Sequence, residues 1–358
     1  MIPQHKPSFG SEESKACFDY LSGDGYITEY KITEEFEELL SKYIGCKHCI
    51  MTTSGTTALI LSLLSLKLSS GDEVIVPNYT MVASINAITS VGAKPVIVDV
   101  NASTYTLSLD TIIPYITSKT KVVLHVSLNN RCKDLDKIRD YCEKSEIYLI
   151  EDSAQSLGAK YKNKHLGTYG KIGCFSLSTP KIISTGQGGF CVTNDDVLAT
   201  SMRKIKNFGR NTGGNDVYEC VGYNFKYTDL QAVIGLEQMK KLSLRVERMK
   251  NIYNIYYANL HDIYEMLPPN YHGWLPWFVD IVCPDENHRK SLSTHLKIMG
   301  VGTRYTYPEL NKTPMYYSTD MLDNSTKICN RGLFLPSYVS ITDDEINCVC
   351  NIIRAYSC

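Results

Sequence analysis

Between residues 54 and 195 the chain alternates short β-branched runs with amphipathic stretches, and that rhythm limits the fold more than any other feature. The strand candidates are 73–77 (EVIVP), 94–100 (KPVIVDV), 121–127 (KVVLHVS), 147–152 (IYLIED), 174–178 (CFSLS) and 188–193 (GGFCVT). Between the early ones, 56–68, 81–92 and 133–144 carry apolar residues at helical spacing. A strand that is apolar along most of its length must be covered on both faces, and strand–helix–strand repetition supplies that cover. The expectation is an α/β fold on a largely parallel sheet.

Beyond this region the pattern changes. A long helical stretch, 228–260, opens with Thr228 read as its cap. A tryptophan-bearing stretch, a further helix and a tail with Thr342 and Glu345 at capping-box spacing follow. These read as a smaller C-terminal α/β domain, 245–358, after a large domain, 1–244, whose first fifty residues form a lead-in helix around TEEFEELLSKYIG. A chain of 358 residues, 43% hydrophobic, is long enough for one large core and a lesser one.

Charge excludes some partners. With 37 basic and 38 acidic residues the formal net charge is −1, so nothing favours nucleic acid or an anionic membrane. No apolar run reaches membrane-spanning length, and the first ten residues lack the basic-then-apolar order of a signal peptide. The expectation is a cytoplasmic protein. The thirteen cysteines then read as buried thiols rather than a disulfide framework. Cys46 and Cys49 form a CxxC, but Cys348 and Cys350 are too closely spaced for the second half of a zinc ribbon, so no metal site is expected. Tyr253, Tyr256, Tyr257 and Tyr264 fall near helical spacing and read as core or subunit interface.

Three places carry chemistry. Glu151 and Asp152 end a buried-looking strand, where ligands sit in open α/β sheets. Ser54, Gly55 and Thr56 open a helix, whose free amides and dipole suit an anion. Lys181 stands between Pro180 and the glycines 186, 188 and 189. Singly, each has an ordinary explanation: a cap, a core-edge acid, a surface lysine. Together they are what pyridoxal 5'-phosphate requires, namely a lysine for its aldehyde, a carboxylate for its ring nitrogen and a helix start for its phosphate.

The motifs SGTTAL, GDEVIVPNYTMVASINAI, IEDSAQSLGA, GCFSLSTPKIISTGQGGFCVTND and VGYNFKYTDLQAVIG, with GVGTRYTYPEL near the end, give the chain a resemblance to the DegT/StrS sugar aminotransferases of the aspartate aminotransferase fold. That resemblance implies a fold type I transferase, with a mostly parallel seven-stranded sheet in the large domain and a smaller C-terminal α/β domain. It matches Lys181 to the Schiff-base lysine and proton carrier, and Asp152 to the partner of the ring nitrogen. Gln155 falls beside the ring hydroxyl and Ala154 against the ring face. Gly55, Thr56 and Ser176 or Ser178 match the phosphate site, with Ser178 favoured. Asn224 matches a residue that reaches the phosphate of a neighbouring subunit, which implies a homodimer with shared sites. Thr28 and Tyr26 fall where the family lines its sugar-nucleotide pocket, and Tyr307 lies beside Arg304 in the same substrate region. Arg304 has two readings, a surface ion pair or a contact to a phosphate or carboxylate of the substrate.

Within the family the likeness is to perosamine- and viosamine-type synthases, which aminate C4 of nucleotide-linked 4-keto-6-deoxyhexoses. It implies glutamate as amino donor and pyridoxamine 5'-phosphate as the alternate cofactor form. The alternatives are C3 amination, a dehydratase of the same fold, and a non-catalytic cofactor-binding regulator. The dehydratases carry histidine at the lysine position, so Lys181 favours transamination. Several residues depart from the family pattern: Met81 for a stacked aromatic, Ser127 for histidine, Asn130 for glycine, Gln187 for glutamate and Asn311 for histidine.

Overall fold

The computed structural model describes residues 1–23, 25–211, 216–269 and 274–357. Its main sheet has seven strands: β1 (His48–Thr52), β2 (Glu73–Pro77), β3 (Lys94–Val98), β4 (Thr120–Val126), β5 (Tyr148–Asp152), β8 (Ile172–Ser176) and β9 (Gly189–Thr193). Between β5 and β8, β6 (Lys160–Tyr161) and β7 (Lys164–His165) form a hairpin. Its two-residue turn places Lys162 and Asn163 at φ +45° and +64°. The order across the sheet is β1-β9-β8-β5-β4-β2-β3. All neighbours from β3 to β8 are parallel; β9 runs antiparallel to both β8 and β1.

Alternation along the strands explains the two covered faces. Val74, Val76, Val122, Leu124 and Ile150 pack on one side against the helices Gly55–Ser65, Ala83–Ser90 and Asp196–Lys206. Ile75, Val98, Val123 and Leu149 face the other side. There they meet Leu135 and Ile138 of the helix Leu135–Lys144, and residues from the C-terminal part of the chain. Tyr253, Tyr256 and Tyr264 are buried in that cluster, and Tyr257 packs against it.

The C-terminal part holds an antiparallel sheet ordered β10-β12-β11, from β10 (Asp280–Val282), β11 (Arg304–Tyr305) and β12 (Gly332–Phe334). Thr342 and Glu345 form the capping box that their spacing suggests: each side chain takes the other's backbone N–H, at 2.8 and 3.1 Å. Among the described residues the cysteines are free, with Cys220 and Cys348 exposed rather than buried. No described helix is long and apolar enough to cross a membrane.

The structure corrects three element readings. β1 escapes the sequence pattern because its five residues, HCIMT, neither alternate nor carry several β-branched side chains; it forms by pairing with β9. The 228–260 pattern is two helices, Asp229–Lys240 and Leu242–Leu260. They meet at Lys241, whose side chain is drawn to Glu12 and Glu13 of the first helix. The strand read at 174–178 is Ile172–Ser176, because the chain beyond Ser176 turns to present the lysine.

Candidate active site

That turn is held tightly. The Leu177 N–H donates to the Gly188 carbonyl at 2.8 Å, and the Lys181 N–H donates to the Ser178 carbonyl at 3.0 Å. Gly186 takes φ +81°, which a side chain resists. At Gly188 a Cβ would stand 2.8 Å from both the Thr185 hydroxyl and the Tyr227 ring. The glycines following the lysine therefore close the loop that aims it.

Lys181 points into a cavity of about 230 Å³ at the carboxyl ends of the parallel strands. Gly55, Thr56, Met81, Asp152, Ala154 and Gln155 line it, as do Ser176, Ser178 and Tyr307. The sheet thus brings together the lysine, the carboxylate and the helix start that the sequence suggested. Ser54 caps that helix by accepting the Thr57 N–H at 3.1 Å. The amides of Gly55 and Thr56, first in the helix, have no intrahelical acceptor. Ser176 and Ser178 stand beside them, their hydroxyls 3.2 Å apart.

Asp152 ends β5 and is buried. Its Oδ2 accepts from the Ser84 hydroxyl at 2.7 Å, and its Oδ1 from the Ala154 N–H at 3.1 Å. Burial pushes its carboxyl up, against the pull of those two hydrogen bonds and of Lys181. Burial likewise pulls Lys181 from 10.5 down to about 8; Asp152 works against that shift and Arg304 adds to it. Among the described residues Asp152 has no ion-pair partner at bonding distance.

Three expected residues lie away from the cavity in this chain, and a fourth, Arg304, packs on Tyr307 of its wall. Thr28 is exposed and bridges Thr228, and Tyr26 is exposed two residues before it. Asn224 is exposed, bridging Asn207 away from the cavity. Arg304, on β11, sits with its guanidinium 5.3 Å over the Tyr307 ring and has no carboxylate partner among the described residues. The surface ion-pair reading of Arg304 therefore has no support in the structure.

The departures from the family pattern fall in distinct places. Met81 and Gln187 line the cavity, and so does Ser127, whose buried hydroxyl has no partner among the described residues. Asn130 adopts φ +60°, the left-handed conformation that asparagine tolerates where relatives use glycine. Asn311 is tied into the fold by bonds to Asn78 and Asp320.

Sequence reasoning missed the groups that hold these side chains in place. Ser84 orients Asp152 from the first turn of its helix. Asn129 donates its N–H to Gln155 Oε1 at 2.6 Å, and Gln155 also bonds to the Tyr307 side chain. Trp277 lies beneath the lysine, with Lys181 Nζ 4.4 Å from the ring centroid. Ser84 falls within the motif GDEVIVPNYTMVASINAI, which gives no sign of its role, and Asn129 and Trp277 fall in no quoted motif. Among the described residues no group of three or more His, Cys, Asp or Glu side chains is placed to hold a metal ion.

Comparison with known proteins agrees with this geometry. The profile of the DegT/DnrJ/EryC1/StrS aminotransferase family matches residues 7–354. A GDP-perosamine synthase of Vibrio cholerae is 30% identical over 365 residues, covering 99% of each chain. One of Caulobacter vibrioides is 32% identical over 321 residues, covering 87% of this chain and 86% of that protein. Among solved structures, the aminotransferase TlmJ of Streptoalloteichus hindustanus superposes with a TM-score of 0.94 at 26% identity, over 99% of this chain and 98% of the other. NtdA of Bacillus subtilis, with bound cofactor PMP, gives 0.90 at 29% identity, over 98% and 83%.

Proposed function

The chain belongs to the DegT/DnrJ/EryC1/StrS aminotransferase family, and from that premise we propose that it transfers an amino group from glutamate to the C4 keto carbon of a nucleotide-linked 4-keto-6-deoxyhexose. The end-to-end likeness to GDP-perosamine synthases carries the choice of sugar and makes GDP the first nucleotide to try. The product is then an amino-dideoxy sugar of the perosamine or viosamine type. The meeting of Lys181, Asp152 and the Gly55 helix start in one cavity supports the chemistry.

The cofactor is pyridoxal phosphate, and the residues present fit it. Asp152 is a buried carboxylate that lacks a bonded cation among the described residues. Two helix amides are open beside Ser178. A Cβ on Gly55 would stand 2.7 Å from Ser176 Cβ, so that wall of the phosphate site is kept to backbone. When bound, the cofactor supplies the electron sink for carbon–nitrogen exchange.

The protein's residues have separate tasks. The Gly55 and Thr56 amides with the Ser178 hydroxyl bind the phosphate, aided by the helix dipole. Asp152, its two oxygens oriented by Ser84 and Ala154, keeps a proton on the ring nitrogen. Lys181, pulled to about 8, holds a usable neutral fraction near pH 7.5, where an ordinary lysine is almost wholly charged. That neutral amine takes and returns the proton that moves during transfer. Met81 packs its thioether against the ring in place of an aromatic side chain. Tyr26, Thr28, Arg304 and Tyr307 recognise the sugar nucleotide. Asn224, exposed in this chain, serves the phosphate of a second copy in a homodimer. The proposed division into 1–244 and 245–358 falls in the first turn of the helix Leu242–Leu260, with the sheet holding Arg304 in the second unit.

The test supplies purified protein with glutamate and then with GDP-, UDP- and dTDP-linked 4-keto-6-deoxyhexoses, following the cofactor's visible band and the mass of the sugar. The expected result is loss of the band with glutamate, its return with one of these sugars, and an amino sugar as product. Lys181→Ala should abolish turnover while the cofactor still binds. No amino product from any of the three sugars would refute the substrate assignment, and near-normal turnover by Lys181→Ala would refute the mechanism.

A further inference from the structure

Lys181 forms part of the partition between two cavities. On one side is the site just described; on the other is a smaller space of about 40 Å³ lined by His5, Trp277 and Tyr338 among others. Trp277 covers the lysine from the second side. Its ring centroid is 4.4 Å from Nζ, well inside the range at which an aromatic face attracts an ammonium group.

The indole is fixed with unusual thoroughness. Its Nε1–H donates to the carbonyl of Pro180, the residue before the lysine, at 2.8 Å. Ring and lysine backbone are therefore one unit. Its backbone N–H donates to Asn129 Oδ1 at 2.8 Å, and the Phe278 N–H reaches the same oxygen at 3.0 Å. Asn129 Nδ2 donates to Asp280 Oδ1 at 3.0 Å, an oxygen that Arg131 also holds at 2.7 Å. Asn129 itself sits at φ +50°, and its own N–H holds Gln155. One residue between β4 and the next helix thus positions both Gln155, in the cofactor cavity, and the indole beneath the lysine.

We propose that Trp277 is the seat of the Lys181 ammonium whenever the lysine is not covalently engaged, and that Asn129 is the positioning residue for that seat. In transamination the lysine is released during each cycle and must wait nearby, taking and giving a proton. An aromatic face holds the charged form without offering a hydrogen-bond acceptor that would trap it, so the neutral form leaves freely. The other groups acting on the amine are Asp152 from β5 and Arg304 from β11, with Tyr307 nearby and His5 across the partition, its ring held below its usual range by burial. None of them replaces the indole. The inference rests on Lys181 being the covalent lysine.

The test uses the full chain loaded with pyridoxamine phosphate, so that the lysine is free. Lysines are tagged by isotope-labelled reductive methylation, and the Lys181 signal is assigned by its absence in Lys181→Met. Its titration is then followed by NMR in the wild type and in Trp277→Phe, Trp277→Leu and Asn129→Ala. Leucine still excludes water but offers no π face, so the lysine should titrate roughly one pH unit lower. Phenylalanine should give an intermediate shift, and Asn129→Ala should move in the leucine direction. If Trp277→Leu does not fold, the phenylalanine variant decides by its downward shift. An unchanged titration, or an upward one, overturns the proposal, the upward shift meaning that the indole only shields the amine from water. If instead Lys181→Met still links covalently to pyridoxal phosphate, the lysine assignment fails, and that outcome is distinct from either.

Discussion

Gly55→Ala tests whether the helix start is the phosphate site. The added Cβ would lie 2.7 Å from Ser176 Cβ and 3.3 Å from Ser176 Cα, whereas ordinary contacts begin at 3.4 Å. Ser176 cannot simply withdraw, because it is paired in register with Gly189 of β9. Gly189 in turn is pressed against the Ser54 carbonyl, where a Cβ of its own would come within 2.4 Å. The helix start must therefore yield by several tenths of an ångström. Overpacking of this kind costs about 1–3 kcal/mol. The gain in helix propensity from glycine to alanine is at most about 1 kcal/mol, so the clash wins. A net loss of about 1–2 kcal/mol is roughly a five- to thirtyfold weaker grip if it falls on the phosphate contacts. The assay is a fluorescence titration of wild type and variant with pyridoxamine phosphate, and with pyridoxamine lacking the phosphate. The loss should fall on the phosphorylated compound. Equal weakening for both compounds, or none, would show that the Gly55 amide does not serve the phosphate.

The remaining predictions concern charge. Lys181 is pulled down to about 8, so its neutral fraction grows as pH rises. Starting from the pyridoxamine-loaded enzyme, the single-turnover rate should rise about tenfold per unit below pH 8 and level off above it; a flat stopped-flow profile would remove the lysine from the proton transfer. Arg304→Gln takes away a cation that lowers the lysine, so the same profile should move to higher pH while KM for the nucleotide sugar increases. If neither changes, Arg304 touches neither the lysine's field nor the substrate. Ser84→Ala deletes the 2.7 Å bond to Asp152, which pushes that carboxyl further up. About a tenfold fall in kcat is expected from a hydrogen bond to a charged group; an unchanged rate and cofactor spectrum would count against Asp152 as the ring-nitrogen partner.

The parallel part of the fold was legible because its signal is local. Val74, Ile75 and Val76 alternate between two buried faces, and such a strand shows itself in five letters. β1 was not legible, since HCIMT becomes a strand only by pairing with β9, some 140 residues further on. The break at Lys241 was hidden for a related reason. It carries neither glycine nor proline, and the carboxylates that draw its side chain, Glu12 and Glu13, come from the far end of the chain.

The same distinction separates the site residues that could be read from those that could not. Lys181, Asp152 and Gly55 face demands met within a few positions: a loop must turn, a strand must end, a helix must begin. Each demand selects nearby residues, such as the glycines after Lys181, and so writes a motif. Ser84 acts on Asp152 from 68 residues away, and Asn129 meets Trp277 and Asp280, neighbours on one segment, only once the two sheets are packed together. Asn129 is the sharpest case. In sequence it is one of two adjacent asparagines, and Asn130 drew notice only because relatives place glycine there. In the structure Asn129 has its backbone N–H on Gln155, its side-chain oxygen on the Trp277 and Phe278 amides, and its carbonyl on the Trp274 indole at 2.6 Å. A residue with that many long-range partners should tolerate substitution less well than Met81, although Met81 lines the cavity itself. Met81 is 45% exposed and its sulfur accepts one exposed bond, from the Ala83 N–H at 3.0 Å, so Met81→Leu should cost little in stability. Asn129→Ala leaves several buried polar groups without partners and should lower Tm by several degrees. If thermal unfolding ranks the two variants the other way, the Asn129 network is not what joins the cofactor cavity to the C-terminal sheet.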